Sequence, residues 1–504
     1  MMGEDRLQNV VVLGGGTAGW MAAALLAHFF RHNPQARVTL VESPEIGTVG
    51  VGEATVPQIL DFIRRLGLDE AEFVRATHGT YKLAIRFDGW AGEGSSFYHP
   101  FADFGVPIAG TEFRHHWARL RGAGQAGPLD DYCLASRLAD RGAFAVPARA
   151  DGGGLSFNYA LHFDAGLVAA FLRRWAVERG VHHIEGRLVE ARRDPESGDV
   201  TALVLDQGQA IPGDLFIDCS GFRSLLLGEA LQVPFDDWSH WLPCDRAIAL
   251  PCESRLPPAP FTRSLAQEAG WQWRIPLQHR VGNGHVYCSQ HISDDRALAQ
   301  LEAQLEGPAM AEPRHLRFTA GMRRQVWSHN VFALGLASGF LEPLESTSIY
   351  LVQKGLSGLL AQFPTRATMA AQRGRTNLEQ RAHWKHIRDF IILHYALNGR
   401  VGEPFWDACR TMPLPDSLAE RIIDYREAGR LPDDPRDFFR ASSWLALLSG
   451  LGEVPGWYHP NVADHAGAEL AAELTRMHEA MESAAAKAPA HAEFIARHCA
   501  IDRP

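Results

Sequence analysis

The feature that most constrains the fold lies within the first 42 residues. An apolar run, Val10-Val11-Val12-Leu13, meets Gly14-x-Gly16-x-x-Gly19, and the apolar stretch Trp20 to Phe30 follows. A second run, Arg37-Val38-Thr39-Leu40-Val41, ends at Glu42. Strand, glycine turn, helix, strand and acid in this order describe the start of a βαβ unit that takes a dinucleotide. Gly14 lets the chain turn sharply, Gly16 lets the backbone approach a pyrophosphate, and Gly19 lets the helix pack on the sheet with its positive end at the anion. Thr17 and Ala18 belong to the same turn, and Glu42 is spaced to accept a ribose hydroxyl.

At 504 residues the chain exceeds what one core supports, so two closely packed parts are expected. A net charge of -10 and the lack of any basic run argue against a nucleic acid or an anionic membrane as partner. The seven cysteines are an odd number with no C-x-x-C pair, so neither a disulfide framework nor a metal site is expected, and a reducing cytoplasm fits. No stretch of 18 apolar residues occurs, so neither a membrane span nor a signal peptide is expected. Only four lysines are present, Lys82, Lys354, Lys385 and Lys487. Arginine carries the rest of the positive charge, so a lysine inside a motif points to chemistry that needs a group able to lose its proton.

A second glycine-rich segment, residues 47 to 57, includes Gly50 and leads into a helix at Gln58 to Leu66; it is either a surface loop or a place where backbone approaches the cofactor. Thr80 to Phe87 alternates as a strand, with Tyr81, Leu83, Ile85 and Phe87 on one face. Lys82 then lies on the other, which meets solvent or lines a cavity. Residues 165 to 179 form a helix, Gly180 to Glu190 pairs with Thr201 to Leu205, and Asp214 to Gly221 is a buried strand entering a turn. Helices follow at Ile349 to Leu360, Asn377 to Asn398, Ser417 to Glu427 and Ala466 to Ala486. In the last, Leu470, Leu474, Met477 and Met481 recur at helical spacing as a docking face.

Two further segments carry candidate chemistry. Trp271 and Trp273 are two apart, so both indoles share one face of a strand that ends at Pro276; they form either core or the wall of a cavity. The segment Leu334 to Tyr350 joins a strand to a helix through Glu345-Ser346-Thr347-Ser348. These hydroxyls cap the helix in the ordinary way, with Glu345 answering its dipole, or the free N–H groups there bind a small anion.

Taken together, Gly14-x-Gly16-x-x-Gly19, Thr80-Tyr81-Lys82, Tyr98-His99-Pro100-Phe101, Trp271-x-Trp273-x-Ile275-Pro276, Glu342-Pro343-Leu344-Glu345-Ser346-Thr347 and Arg388 to Tyr395 stand in the order seen in flavin-dependent tryptophan halogenases. The chain resembles that family over nearly its whole length, and most the indole-accepting, brominating members. The resemblance implies an α/β fold: a Rossmann-like FAD-binding module of the glutathione-reductase type with an additional β-sheet and a helical C-terminal part. Residues 1–355 would hold the FAD-binding module with strands inserted at about 85–160 and 235–330, and 356–504 a mainly helical part covering the substrate.

It further implies that reduced FAD from a separate flavin reductase, with oxygen and bromide or chloride, gives hypohalous acid. The oxidant passes to Lys82 for electrophilic halogenation of an indole or similar small aromatic. Lys82 and Glu345 would be catalytic, Thr347 and Ser348 would hold the halide, and Trp271 and Trp273 would separate flavin from substrate. Leu188, Leu336 and Ile349 would touch the flavin, and His99 and Phe101 the substrate; Trp444, read from the residues alone, either covers an aromatic substrate or is core. The sequence departs from the family pattern at Ser348, where a glycine is usual, and in Asp437 to Trp444, which lacks the tyrosine-rich segment that grips an amino acid head group. A substrate without that head group is therefore expected. A flavin-dependent aromatic monooxygenase and a flavin-binding sensor or scaffold are the alternatives.

Overall fold

A computed structural model describes residues 5–44, 52–147 and 157–501. The chain divides into two compact units, each assembled from three separate stretches. The first comprises residues 1–79, 163–240 and 318–385, the second 80–162, 241–317 and 386–504.

The first unit is built on a six-stranded sheet ordered Trp327–Ser328, Val331–Ala333, Leu215–Asp218, Asn9–Leu13, Arg37–Glu42, His182–Glu185, parallel except at the Trp327–Ser328 edge. Its central strands are apolar on both faces, as a parallel sheet covered by helices requires, and Val10, Val12, Leu40, Phe216 and Ile217 are fully buried. The helix Thr17–Phe30 packs against Ala165–Val177 and Ser348–Ala361. The α/β, Rossmann-like expectation holds.

The second unit is built on a seven-stranded sheet ordered Arg314–Arg317, Arg246–Ala249, Val281–Tyr287, Gly270–Pro276, Phe261–Gln267, Ala84–Asp88, Ser96–Pro100. All neighbours are antiparallel except Phe261–Gln267 with Ala84–Asp88. Helices Pro404–Thr411, Asp416–Ala428, Ala441–Gly450, Gly467–Ala485 and His491–His498 complete it. Leu470, Leu474, Met477 and Met481 are buried in Gly467–Ala485, which docks on Phe113–Gly122 and Leu134–Asp140 as its spacing indicates. Among the described residues no helix is long and apolar enough to cross a membrane.

Three elements differ from the sequence reading. Thr80 to Phe87 is two strands, Thr80–Lys82 and Ala84–Asp88, because the backbone changes partners at Leu83: its N–H donates to the Pro260 carbonyl and its carbonyl accepts from the Phe101 N–H. Gly180 to Glu190 likewise splits. His182–Glu185 extends the parallel sheet, Gly186 donates to the Glu42 carbonyl, and Leu188–Arg193 leaves to pair antiparallel with Val200–Leu205. The helix expected from Asn377 starts eight residues earlier, at Met369, where Met-Ala-Ala-Gln-Arg are strong helix formers without apolar periodicity to reveal them.

Candidate active site

In the first unit the glycine turn has the geometry of a phosphate cradle. Gly14 adopts φ +113°, and a Cβ there would lie 2.3 Å from the Cys219 carbonyl oxygen. A Cβ on Gly15 would lie 1.5 Å from Glu42 Oε2, and one on Gly19 would lie 1.8 Å from the Gly14 carbonyl oxygen. Gly16 is the N-cap of Thr17–Phe30 and has no side chain to cap it, so the first helical N–H groups, around Thr17, Ala18 and Gly19, are left for an outside acceptor. Glu42 Oε1 accepts from His183 Nε2 at 2.6 Å, while Oε2 stands over Gly15. Glu42, His183 and Glu185 also offer metal-ligand atoms within 4.8 Å of one another, but that hydrogen bond already accounts for the first two. These residues fit a dinucleotide. Leu188 is half-buried against the core around Leu203 and Leu205, Leu336 is half-buried in the turn Gly335–Ala337, and Ile349 is buried in the helix Ser348–Ala361. Gly50 lies outside the described residues.

The start of the helix Ser348–Ala361 is not an ordinary capped end. Ser346 takes the left-handed conformation, φ +58°, after the turn Pro343–Glu345, and its N–H donates to the Pro343 carbonyl. Thr347, the N-cap, makes no capping bond with its side chain. Its Oγ1 is buried and, among the described residues, has no hydrogen-bond partner. A buried hydroxyl beside uncapped helical N–H groups is a donor set for a small anion. Ser348 is the first residue of that helix, and Glu345, just ahead of it, is 1% exposed.

The sequence reading missed Glu53 in the strand Gly52–Ala54, whose carboxyl burial pushes up to about 7. A lone acid inside a glycine-rich, otherwise uncharged segment was the available signal.

In the second unit, Lys82 is fully buried, which removes the solvent-facing alternative. Its Nζ lies 5.1 Å from the centroid of the Phe101 ring. His99, 4% exposed, packs against Phe390 at 5.6 Å and Phe439 at 5.9 Å, and those two rings stack at 3.8 Å and 15°. Trp444 stands behind this stack: its Nε1 donates to the Phe439 carbonyl, its ring meets Phe390 edge-on, and the Arg421 guanidinium covers it at 5.2 Å. Phe390 and Phe439 thus line up with His99 where sequence reasoning had named Trp444. Their stacking pairs a long helix with a distant loop, and no local spacing announces it.

Trp271 and Trp273 have ring centroids 6.2 Å apart at 59°, on the shared face their spacing indicates. Trp273 lies over Gly284, its partner across the sheet, where a Cβ would come within 2.0 Å of the indole. Below Lys82, Thr80 Oγ1 donates to the Pro276 carbonyl at 2.7 Å and sits 2.9 Å from His162 Nδ1, while His162 Nε2 is 2.9 Å from Thr262 Oγ1. Burial, reinforced by Lys82, holds His162 well below the usual imidazole range.

Residues 9–467 match the family model for tryptophan halogenase. The chain belongs to the tryptophan halogenase family. It is 36% identical to the tryptophan 6-halogenase ThaL of Streptomyces albogriseolus over 90% of this chain and 91% of that one. It is 35% identical to the tryptophan 7-halogenase RebH of Lentzea aerocolonigenes over 91% and 92%. Among solved structures, BrvH, a flavin-dependent halogenase from Brevundimonas sp. BAL3, superposes with a TM-score of 0.94 at 45% identity, covering 98% of this chain and all of that one. This tryptophan halogenase family member is therefore an enzyme that uses flavin and halide, and the monooxygenase and sensor alternatives are not favoured.

Proposed function

We propose that this halogenase places bromine or chlorine on an indole or comparable electron-rich aromatic that lacks an amino acid head group, drawing reduced FAD from a separate flavin reductase. FAD would be held by Gly14, Gly16, Thr17, Ala18, Gly19 and Glu42, with Leu188, Leu336 and Ile349 against the flavin. When bound and reduced it supplies, with oxygen, the oxidising equivalents that turn halide into hypohalous acid. Thr347 and Ser348 hold the halide through the helix N-terminus, with the Thr347 hydroxyl as a further donor.

Lys82 donates a hydrogen bond to hypohalous acid and makes hydroxide a better leaving group as water. The face of Phe101 beside Nζ supports the ammonium form this role needs. The ring carbon takes the halogen, and Glu345 removes the displaced ring proton, so hypohalous acid and arene become haloarene and water. His99 and Phe101, with Phe390 and Phe439, wall the ring in place. Trp271 and Trp273 keep the substrate from the flavin.

The observation that carries this reading is Lys82: one of four lysines, fully buried on a three-residue strand beside an aromatic ring. The test is incubation with FAD, a flavin reductase, NADH, bromide and indole, with mass spectrometry of the products. Bromoindole is expected. Bound flavin with no halogenated indole or phenol overturns the proposal.

A further inference from the structure

The strand that carries Lys82 is short, Thr80–Lys82, and the chain leaves its sheet at the next residue. Something other than strand length must hold the lysine. At Tyr81 the backbone N–H donates to Nε2 of His491 at 3.2 Å, across 410 positions of sequence. His491 Nδ1 is 2.8 Å from the Pro258 carbonyl oxygen, and the imidazole is fully buried.

These partners fix its state. A carbonyl only accepts, so Nδ1 carries the proton; an amide N–H only donates, so Nε2 keeps its lone pair. The ring works as a neutral bridge between two backbone groups, and burial, which lowers its pKa to about 4, keeps it so.

The helix that brings His491 in is itself anchored to the same strand. His491 N–H donates to the Gly142 carbonyl and Phe144 N–H to the Pro489 carbonyl. Tyr81 stacks on Phe144 at 4.5 Å and meets Phe494 edge-on at 5.2 Å. On the neighbouring residue, Thr80 is tied through its hydroxyl to Pro276, the last residue of the strand bearing Trp271 and Trp273.

We propose that His491 is a positioning residue for Lys82: its neutral imidazole takes the place of a neighbouring strand at Tyr81 and so sets where the lysine amine stands. The proposal rests on the reading of Lys82 as the group that receives hypohalous acid. A displaced lysine leaves formation of the oxidant untouched and loses its delivery.

The test compares wild type, His491→Leu, His491→Gln and Lys82→Met with FAD, flavin reductase, NADH, bromide and indole. Three quantities are measured: bromide-dependent oxidation of reduced flavin, bromoindole formed, and hypobromous acid escaping to a diffusible phenol dye. In His491→Leu flavin oxidation and the KM for indole should hold, while bromoindole per flavin oxidised falls about tenfold or more and the dye is brominated instead. His491→Gln, whose amide can both donate and accept, should recover most of the coupling. Should His491→Leu precipitate, His491→Asn, too short to reach both backbone groups, carries the same expectation.

Wild-type coupling in the Leu or Asn variant, with Lys82→Met uncoupled, overturns the role of His491 alone. So does flavin oxidation falling in step with product. Full coupling in Lys82→Met overturns the underlying role of Lys82 and the role of His491 with it.

Discussion

In the unit built on the parallel sheet, the candidate groups are largely backbone N–H groups at two helix starts, Gly16–Gly19 and Thr347–Ser348. In the unit built on the antiparallel sheet, they are side chains set on strands: Lys82, His99, Trp271 and Trp273. The first arrangement needs residues that are absent, a missing Cβ at Gly14, Gly15 and Gly19 and a missing capping bond at Thr347. The second needs residues that are present and immobilised by distant partners such as His162, Phe439 and His491. Binding an anion asks little of side chains because helix ends supply oriented donors. Directing an electrophile to one carbon asks for an amine held in one place.

The sharpest break of this comparison is Lys82→Met. Product formation should fall by about 10²-fold or more while halide-dependent oxidation of reduced flavin continues, measured as bromoindole against NADH consumed. Loss of both together would mean that the side-chain unit also makes the oxidant.

Glu53, half-buried on the strand Gly52–Ala54 of the same unit, carries a carboxyl that titrates above its usual range. Its folded pKa of about 7 lies above the ordinary carboxyl value, so the stability it contributes is full at acid pH, below its unfolded pKa, and is lost as pH rises to and through 7. Glu53→Gln should match wild type in thermal unfolding at pH 4.5 and exceed it at pH 8, by at most about 3 kcal/mol. An equal Tm at pH 8 would show that Glu53 ionises freely.

Gly15→Ala should weaken FAD binding by about tenfold to 100-fold, because the new methyl displaces the Glu42 carboxylate, while far-ultraviolet circular dichroism is retained. Fluorescence titration of FAD checks this, and unchanged affinity would remove Glu42 from the cofactor site. The smallest effect is expected for Thr347→Val. Losing one buried donor should raise the KM for bromide by about fivefold, roughly 1 kcal/mol, with stability unchanged or slightly higher since the hydroxyl has no partner to lose among the described residues. An unaltered bromide dependence would leave the anion to the backbone alone.

The same contrast explains what could be foreseen from sequence. The Gly14 to Glu42 turn was legible because each glycine answers a local steric demand within a few residues, and the paired tryptophans because strand periodicity is local too. The start of the Met369–Ala396 helix was not, since its first two turns carry no apolar rhythm. Nor was the break at Leu83, decided by Pro260 and Phe101, or the wall made by Phe390 and Phe439. The family resemblance supplied the expectation for Lys82, but nothing near Thr80-Tyr81-Lys82 announces that a histidine 410 positions from Tyr81 accepts a hydrogen bond from that strand.

The interleaving of the two units has a bearing on biosynthesis. The polypeptide passes between them after residues 79, 162, 240, 317 and 385. The Asn9–Leu13 strand waits for Leu215–Asp218 to reach its flank, and that strand waits for Val331–Ala333. Neither body can close while the ribosome still holds the last third of the message, so nascent chains carry unpaired parallel edges for most of their synthesis. Yield in a heterologous host should therefore respond to slower translation, lower temperature and chaperone supply more than to surface redesign, and a stop codon ahead of His491 would leave the amine-bearing segment without its imidazole partner.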